Sequence, residues 1–112
     1  MKKIIWIIIN CTNAKEAKKI GDALLHERSI ACYDIIPERQ AAYFWPPNTG
    51  KIERVKGSML IGVTLPEKYK AVLPTARKLH KDEVPFIGSI TIDNTNPDYY
   101  DWLKKEINQR SS

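Results

Sequence analysis

The chain has 112 residues, a formal charge of +5 and a pI near 9.3. Residues 1–112 read as a single domain, able to bury roughly two thirds of its unfolded surface, and the ordinary apolar content excludes a disordered chain. The basic balance alone leaves nucleic acid open, but the lysines are scattered and never run longer than two. A solvated basic surface is expected, not a nucleic-acid patch. Cys11 and Cys32 are too few for a disulfide framework, so reduced thiols and a cytoplasmic location are the expectation.

Met1-Lys2-Lys3 followed by Ile4 to Ile9 imitates a secretory signal, but the apolar run is short for a signal core and far too short to span a bilayer. Its isoleucines suit a central strand covered on both faces, and no membrane association is expected. Asn13-Ala14-Lys15-Glu16 is a capping box opening a helix whose apolar stripe is Ala17, Ile20, Leu24 and Leu25. A second strand runs from about Ile30 to Ile36, ends near Pro37 and resumes through Ala41 to Trp45. Pro46-Pro47-Asn48-Thr49-Gly50 is a strong turn signal, after which a strand returns from Lys51 to about Val63 with Gly57 and Gly62 as candidate bulges.

Thr64-Leu65-Pro66-Glu67 opens the next helix, with Thr64 as its cap, and Pro74 should kink it. A fourth strand spans Phe86 to Ile92, and Asn96-Pro97-Asp98 caps a last helix carrying Tyr99, Trp102, Leu103 and Ile107 inward. The order βαββαβ plus a C-terminal helix is the ferredoxin-like split βαβ pattern, an α+β fold with a four-stranded antiparallel sheet. One sheet face takes both crossover helices and leaves the other open. That open face and the aromatic run Tyr43-Phe44-Trp45 at the hairpin tip point to an oligomer.

In this order and spacing, several short motifs resemble the CutA divalent-cation-tolerance family. They are Cys11-Thr12, Ala31-Cys32 with Ile36-Pro37, Tyr43-x-Trp45, Gly50-Lys51-Ile52-Glu53, Leu79-His80-x-x-Glu83-Val84-Pro85 and Asn96-Pro97-x-Tyr99-x-Asp101-Trp102. The resemblance runs nearly end to end. It implies a homotrimer of ferredoxin-like subunits, binding of divalent copper (Cu2+) or related cations, and a role in metal tolerance. Four features depart from the family pattern: three extra residues before Gly50-Lys51, Leu79 in place of a histidine, Phe86 in place of an acid, and Val63 in place of a lysine.

The metal-ligand candidates are Cys11, His80 and Glu83. Cys11 stands at a strand–helix junction, where helix N–H groups lower a thiol's pKa and favour the metal-binding thiolate. The resemblance assigns it a copper-ligand role; a small apolar junction residue is the other reading. His80 is either a ligand or a cap for the preceding helix, and Glu83 is either an oxygen ligand or an ion-pair partner of Lys51 across a subunit boundary. His26 is expected at the surface and Cys32 in the core. No nucleophile motif, phosphate loop or metalloprotease helix is present, so no enzyme is expected. Base-stacking aromatics of the RNA-binding ferredoxin-like kind are missing from the first and third strands. The alternative to metal binding is a trimeric scaffold or signalling module that takes a small molecule or a protein.

Overall fold

The computed structural model describes residues 2–109. The elements are β1 (Ile4–Cys11), α1 (Ala14–His26), β2 (Cys32–Phe44), β3 (Ile52–Thr64), a single 3-10 turn (Pro66–Lys68), α2 (Tyr69–Leu79), β4 (Ile87–Ile92) and α3 (Pro97–Asn108). They form one antiparallel sheet in the order β2-β3-β1-β4, the expected α+β ferredoxin-like arrangement. The isoleucine run is central, as its composition requires.

The odd residues of β1 face α1 and α2. Ile5, Ile7, Ile9 and Cys11 pack there with Ala17, Ile20, Leu24, Val72 and Ala76. Leu60, opposite Ile9, joins this core from β3. The odd positions of β3 (Met59, Ile61, Val63) therefore lie on the opposite face, set by their pairing with Asn10, Ile8 and Trp6. There α3 covers only one end, burying Leu103 and Ile107 against Ile4, Val63 and Leu65. Trp102 does not turn inward as expected: it is 41% exposed and rests on the Tyr99 ring at 5.5 Å. Trp6, Ile36 and Ile90 remain 40%, 44% and 53% exposed beyond the reach of α3.

The second strand is continuous through Pro37. The irregularity falls within β2, between Ile36 and Arg39, and not at either glycine of β3. Proline cannot donate to a ladder, and β2 is an edge strand, where a bulge absorbs the missing bond at little cost. The Pro37 carbonyl is used instead, accepting from the Ser58 hydroxyl at 2.7 Å. Past this bulge, Arg39–Phe44 and Ile52–Gly57 pair as a two-stranded arm beyond the end of β1. Its tip exposes Tyr43, Phe44 and Ile52.

Asn13 caps α1 through its side-chain oxygen, which accepts from the Glu16 N–H at 2.8 Å. Arg28, at φ 60°, ends the helix turn, and its guanidinium donates to the Glu106 carbonyl at 2.7 Å. Thr64 does not cap α2: it is the last residue of β3, and the 3-10 turn intervenes before the helix begins. Its hydroxyl is fully buried and has no hydrogen-bond partner among the described residues. A buried orphan hydroxyl costs about 1–3 kcal/mol, and an isosteric methyl removes the cost. Thr64→Val is expected to raise stability by about 1 kcal/mol, read as a higher denaturant midpoint; a lower midpoint refutes the orphan assignment.

Candidate metal centre

The strand–helix junction after β1 meets the C-terminus of α2 in a closed polar cluster. Cys11 Sγ, a Glu16 carboxylate oxygen and a His80 ring nitrogen all lie within 4.8 Å of one another, and all three residues are buried. The cluster is built around Glu16. Its Oε1 accepts the Thr12 N–H at 2.8 Å and the Thr12 hydroxyl at 3.1 Å, and its Oε2 accepts the Lys81 N–H at 2.9 Å. Burial on its own would raise the pKa of this carboxyl. The backbone N–H donors of Thr12 and Lys81, with His80 nearby, outweigh burial and hold it below the usual carboxylate range.

His80 Nδ1 accepts the Asp82 N–H at 3.1 Å, which requires a lone pair there and assigns the ring proton to Nε2. Nε2 then donates to the Asn10 carbonyl at 2.6 Å, while Glu16 Oε1 stands 3.7 Å away. The cap reading does not hold. His80 is at the end of α2, yet its ring does not cap that helix; it ties the helix end to β1.

Cys11 lies at the end of β1 with no accessible surface, its thiol directed at the Ile9 carbonyl 3.7 Å away. Its pKa is pushed up to about 12, chiefly by burial and then by the Glu16 charge, with Arg39 offsetting part of the rise. The expected lowering by the helix N-terminus does not occur. Glu16 and Asn13 take up the N–H groups at the junction, and the carboxylate replaces the helix's positive end with a negative charge beside the sulfur.

Glu83 is not among these donors. It is exposed, on the segment between α2 and β4, and lines the wall of a 760 Å³ cavity whose floor lies over Cys11. Leu79 is partly buried against the main core, Phe86 is 54% exposed, and His26 is at the surface. Cys32 is half-buried beside α3, 3.3 Å from the Tyr99 hydroxyl. Sequence reasoning missed Glu16, reading it only as half of a capping box. The signal was in the box itself, because a carboxylate at that position reaches back over the junction where Cys11 stands.

The fold and the Cys–His pair can now be set against known proteins. The family model described as CutA1 divalent ion tolerance protein matches residues 5–106. The chain belongs to this family. It is 34% identical over 104 residues to the divalent-cation tolerance protein CutA of Thermotoga maritima, covering 93% of this chain and 99% of that one. The Pyrococcus horikoshii CutA is 36% identical over 92 residues, with 82% and 86% coverage. Among solved structures, the Archaeoglobus fulgidus CutA, described as a periplasmic divalent cation tolerance protein, superposes with a TM-score of 0.87 at 26% identity, covering 93% and 98% of the two chains.

Sulfur, imidazole and carboxylate donors suit a borderline dication in kind and spacing. Loading them has a definite requirement: Cys11 must shed its proton, and His80 Nε2 must give up both its proton and the Asn10 bond. In the metal-free state Glu16 is an acceptor of two backbone N–H groups, and glutamine in its place would present a donor to one of them. Glu16→Gln is expected to destabilise the protein by about 2 kcal/mol at pH 7. Because the folded-state pKa is depressed, this stabilisation is present above the ordinary value of 4.5 and is lost as pH falls through the lower folded value. Denaturation at pH 7 and at pH 3 should show the gap between parent and variant closing in acid; a gap constant with pH would show that the charge is not its source.

Proposed function

We propose that this CutA-family chain acts as a homotrimeric divalent-metal-ion binding protein of the cation-tolerance type, with copper as its preferred ion. The observation that carries this reading is the convergence of Cys11, Glu16 and His80 donor atoms within 4.8 Å beside a cavity. Cys11 supplies the soft sulfur ligand and His80 Nε2 the imidazole. Glu16 supplies the oxygen, and Glu83 on the cavity wall adds negative charge on the approach to it. Copper leads by the Irving–Williams order at any such mixed donor set. The free thiols suit a reducing, cytoplasmic setting, and none of the described helices is long and apolar enough to cross a membrane.

Proton release governs the affinity. The thiol begins far above neutrality, so binding must tighten as pH rises. Calorimetric titration with Cu2+, and with redox-inert Zn2+ as control, is expected to give tighter binding at pH 8 than at pH 6. Cys11→Ser and His80→Ala are each expected to weaken Zn2+ binding at least about tenfold, the scale of losing one ligand. Unchanged affinity in both variants would reject the site.

The trimer reading rests on Trp6, Ile36 and Ile90, which form an apolar face that α3 leaves uncovered. Covering each such side chain contributes about 2 kcal/mol, and a closed ring of copies buries every patch alike. Light scattering should give the mass of three chains, and Trp6→Glu combined with Ile90→Glu should give one; a monomeric parent would refute the assembly.

A second reading is favoured by one observation: every donor in the cluster already has a protein partner. Under it the cluster is a structural tie in a trimeric scaffold or signalling module that takes a small molecule or a protein. His80→Ala would then cost stability and leave cation affinity untouched.

A further inference from the structure

The fold lays the Arg39 guanidinium against the sheet and, among the described residues, does not use it up. It is half-buried at the bulge of β2, and its Nε donates to the Ser58 carbonyl at 3.2 Å. Among the described residues no carboxylate forms an ion pair with it. The terminal amino groups therefore have no hydrogen-bond partner among the described residues. Gly57, its partner across the ladder, makes the room, since a Cβ there would lie 3.2 Å from the Arg39 terminal nitrogen and 2.5 Å from the Cys11 carbonyl. Any side chain at this position would collide with the Cys11 carbonyl and crowd the guanidinium.

This group borders the 760 Å³ cavity, which Lys56 and Lys81 also line. Neither lysine is ion-paired among the described residues. Three basic residues and two acidic ones, Asp82 and Glu83, thus share the lining. The remaining wall is largely apolar, with Tyr43, Trp45 and Phe86 presenting rings. A free dication gains nothing from the cationic side of such a cavity. An oxyanion does, because a guanidinium with its fork unoccupied binds a carboxylate or phosphate through two parallel bonds. The rings then suit a flat apolar body attached to that anion.

We infer that the cavity beside Cys11 is a binding site for a small aromatic oxyanion. The Arg39 fork holds the charged head, Lys56 and Lys81 add to the field, and the rings of Tyr43, Trp45 and Phe86 flank the body. The site borders the metal donors at Cys11, but the contacts proposed for the oxyanion use none of them. Titration calorimetry without metal, on the native oligomer, tests it with phenyl phosphate and benzoate as probes and inorganic phosphate and phenol as half-probes.

At least one of the two aromatic oxyanions is expected to bind saturably and at least about tenfold tighter than either half-probe, and the tighter of the two identifies the preferred head group. Arg39→Ala is expected to weaken that probe at least about tenfold, and Arg39→Lys by several-fold, since it keeps the charge and loses the fork. Lys56→Met, on an exposed side chain, guards against a folding artefact at the bulge and should weaken binding about two- to fivefold. No saturable binding by the parent overturns the inference, as does full affinity in both Arg39→Ala and Lys56→Met. A cavity filled by a neighbouring copy of the chain would give the first of these results. Because no metal is present, failure of the metal reading would leave these outcomes unchanged.

Discussion

A buried carboxylate holds together the corner on which the candidate chemistry depends. Glu16 has only 4% of its surface exposed, yet it carries charge, because backbone N–H groups from Thr12 and Lys81 converge on it. Those donors come from segments 69 residues apart, so a single side chain joins the β1–α1 junction to the segment following α2. The arrangement satisfies backbone groups that would otherwise be costly to bury, and this offsets the cost of burying the charge. His80 repeats the tie from the other side by spanning from Asp82 to the Asn10 carbonyl.

The same charge sets the chemistry of its neighbour. A thiol at a strand–helix junction is ordinarily a candidate for activation, but Cys11 is buried and its sulfur has a carboxylate beside it. Both influences favour the protonated form. The cluster is closed by its own hydrogen bonds, and any cation would have to displace protons to enter it. Charges nearby differ in setting: the Glu16 carboxylate is buried with the sulfur, whereas Arg39, Lys56 and Lys81 line the cavity next to it together with Asp82 and Glu83.

The sheet distributes its two faces unequally. One is sealed by α1 and α2, and the other is sealed at one end by α3 and left apolar at the rest. The arm of β2 and β3 extends past β1 and presents Phe44 at 73% exposure. A two-stranded ribbon is marginal by itself. Both features place unburied apolar surface on the side of the molecule away from α1 and at its far end, where intramolecular packing cannot reach.

Local pattern was enough for much of this. The order of elements, the central place of Ile4 to Ile9, the α+β sheet topology and the Asn13 cap follow from hydrophobic period, turn residues and capping chemistry, all of which act over a few residues. The motifs Cys11-Thr12 and Leu79-His80 marked the right corner of the fold. Tertiary structure decided the rest. Whether β2 breaks at Pro37 depended on its being an edge strand, and the fate of Trp102 depended on where α3 crosses the sheet. The replacement of Glu83 by Glu16 beside Cys11 and His80, and the upward shift of the thiol, arise from side chains meeting across long stretches of chain. Burial and electric field belong to the packed molecule, because water and charge at a given atom are set by neighbours that the linear order does not contain.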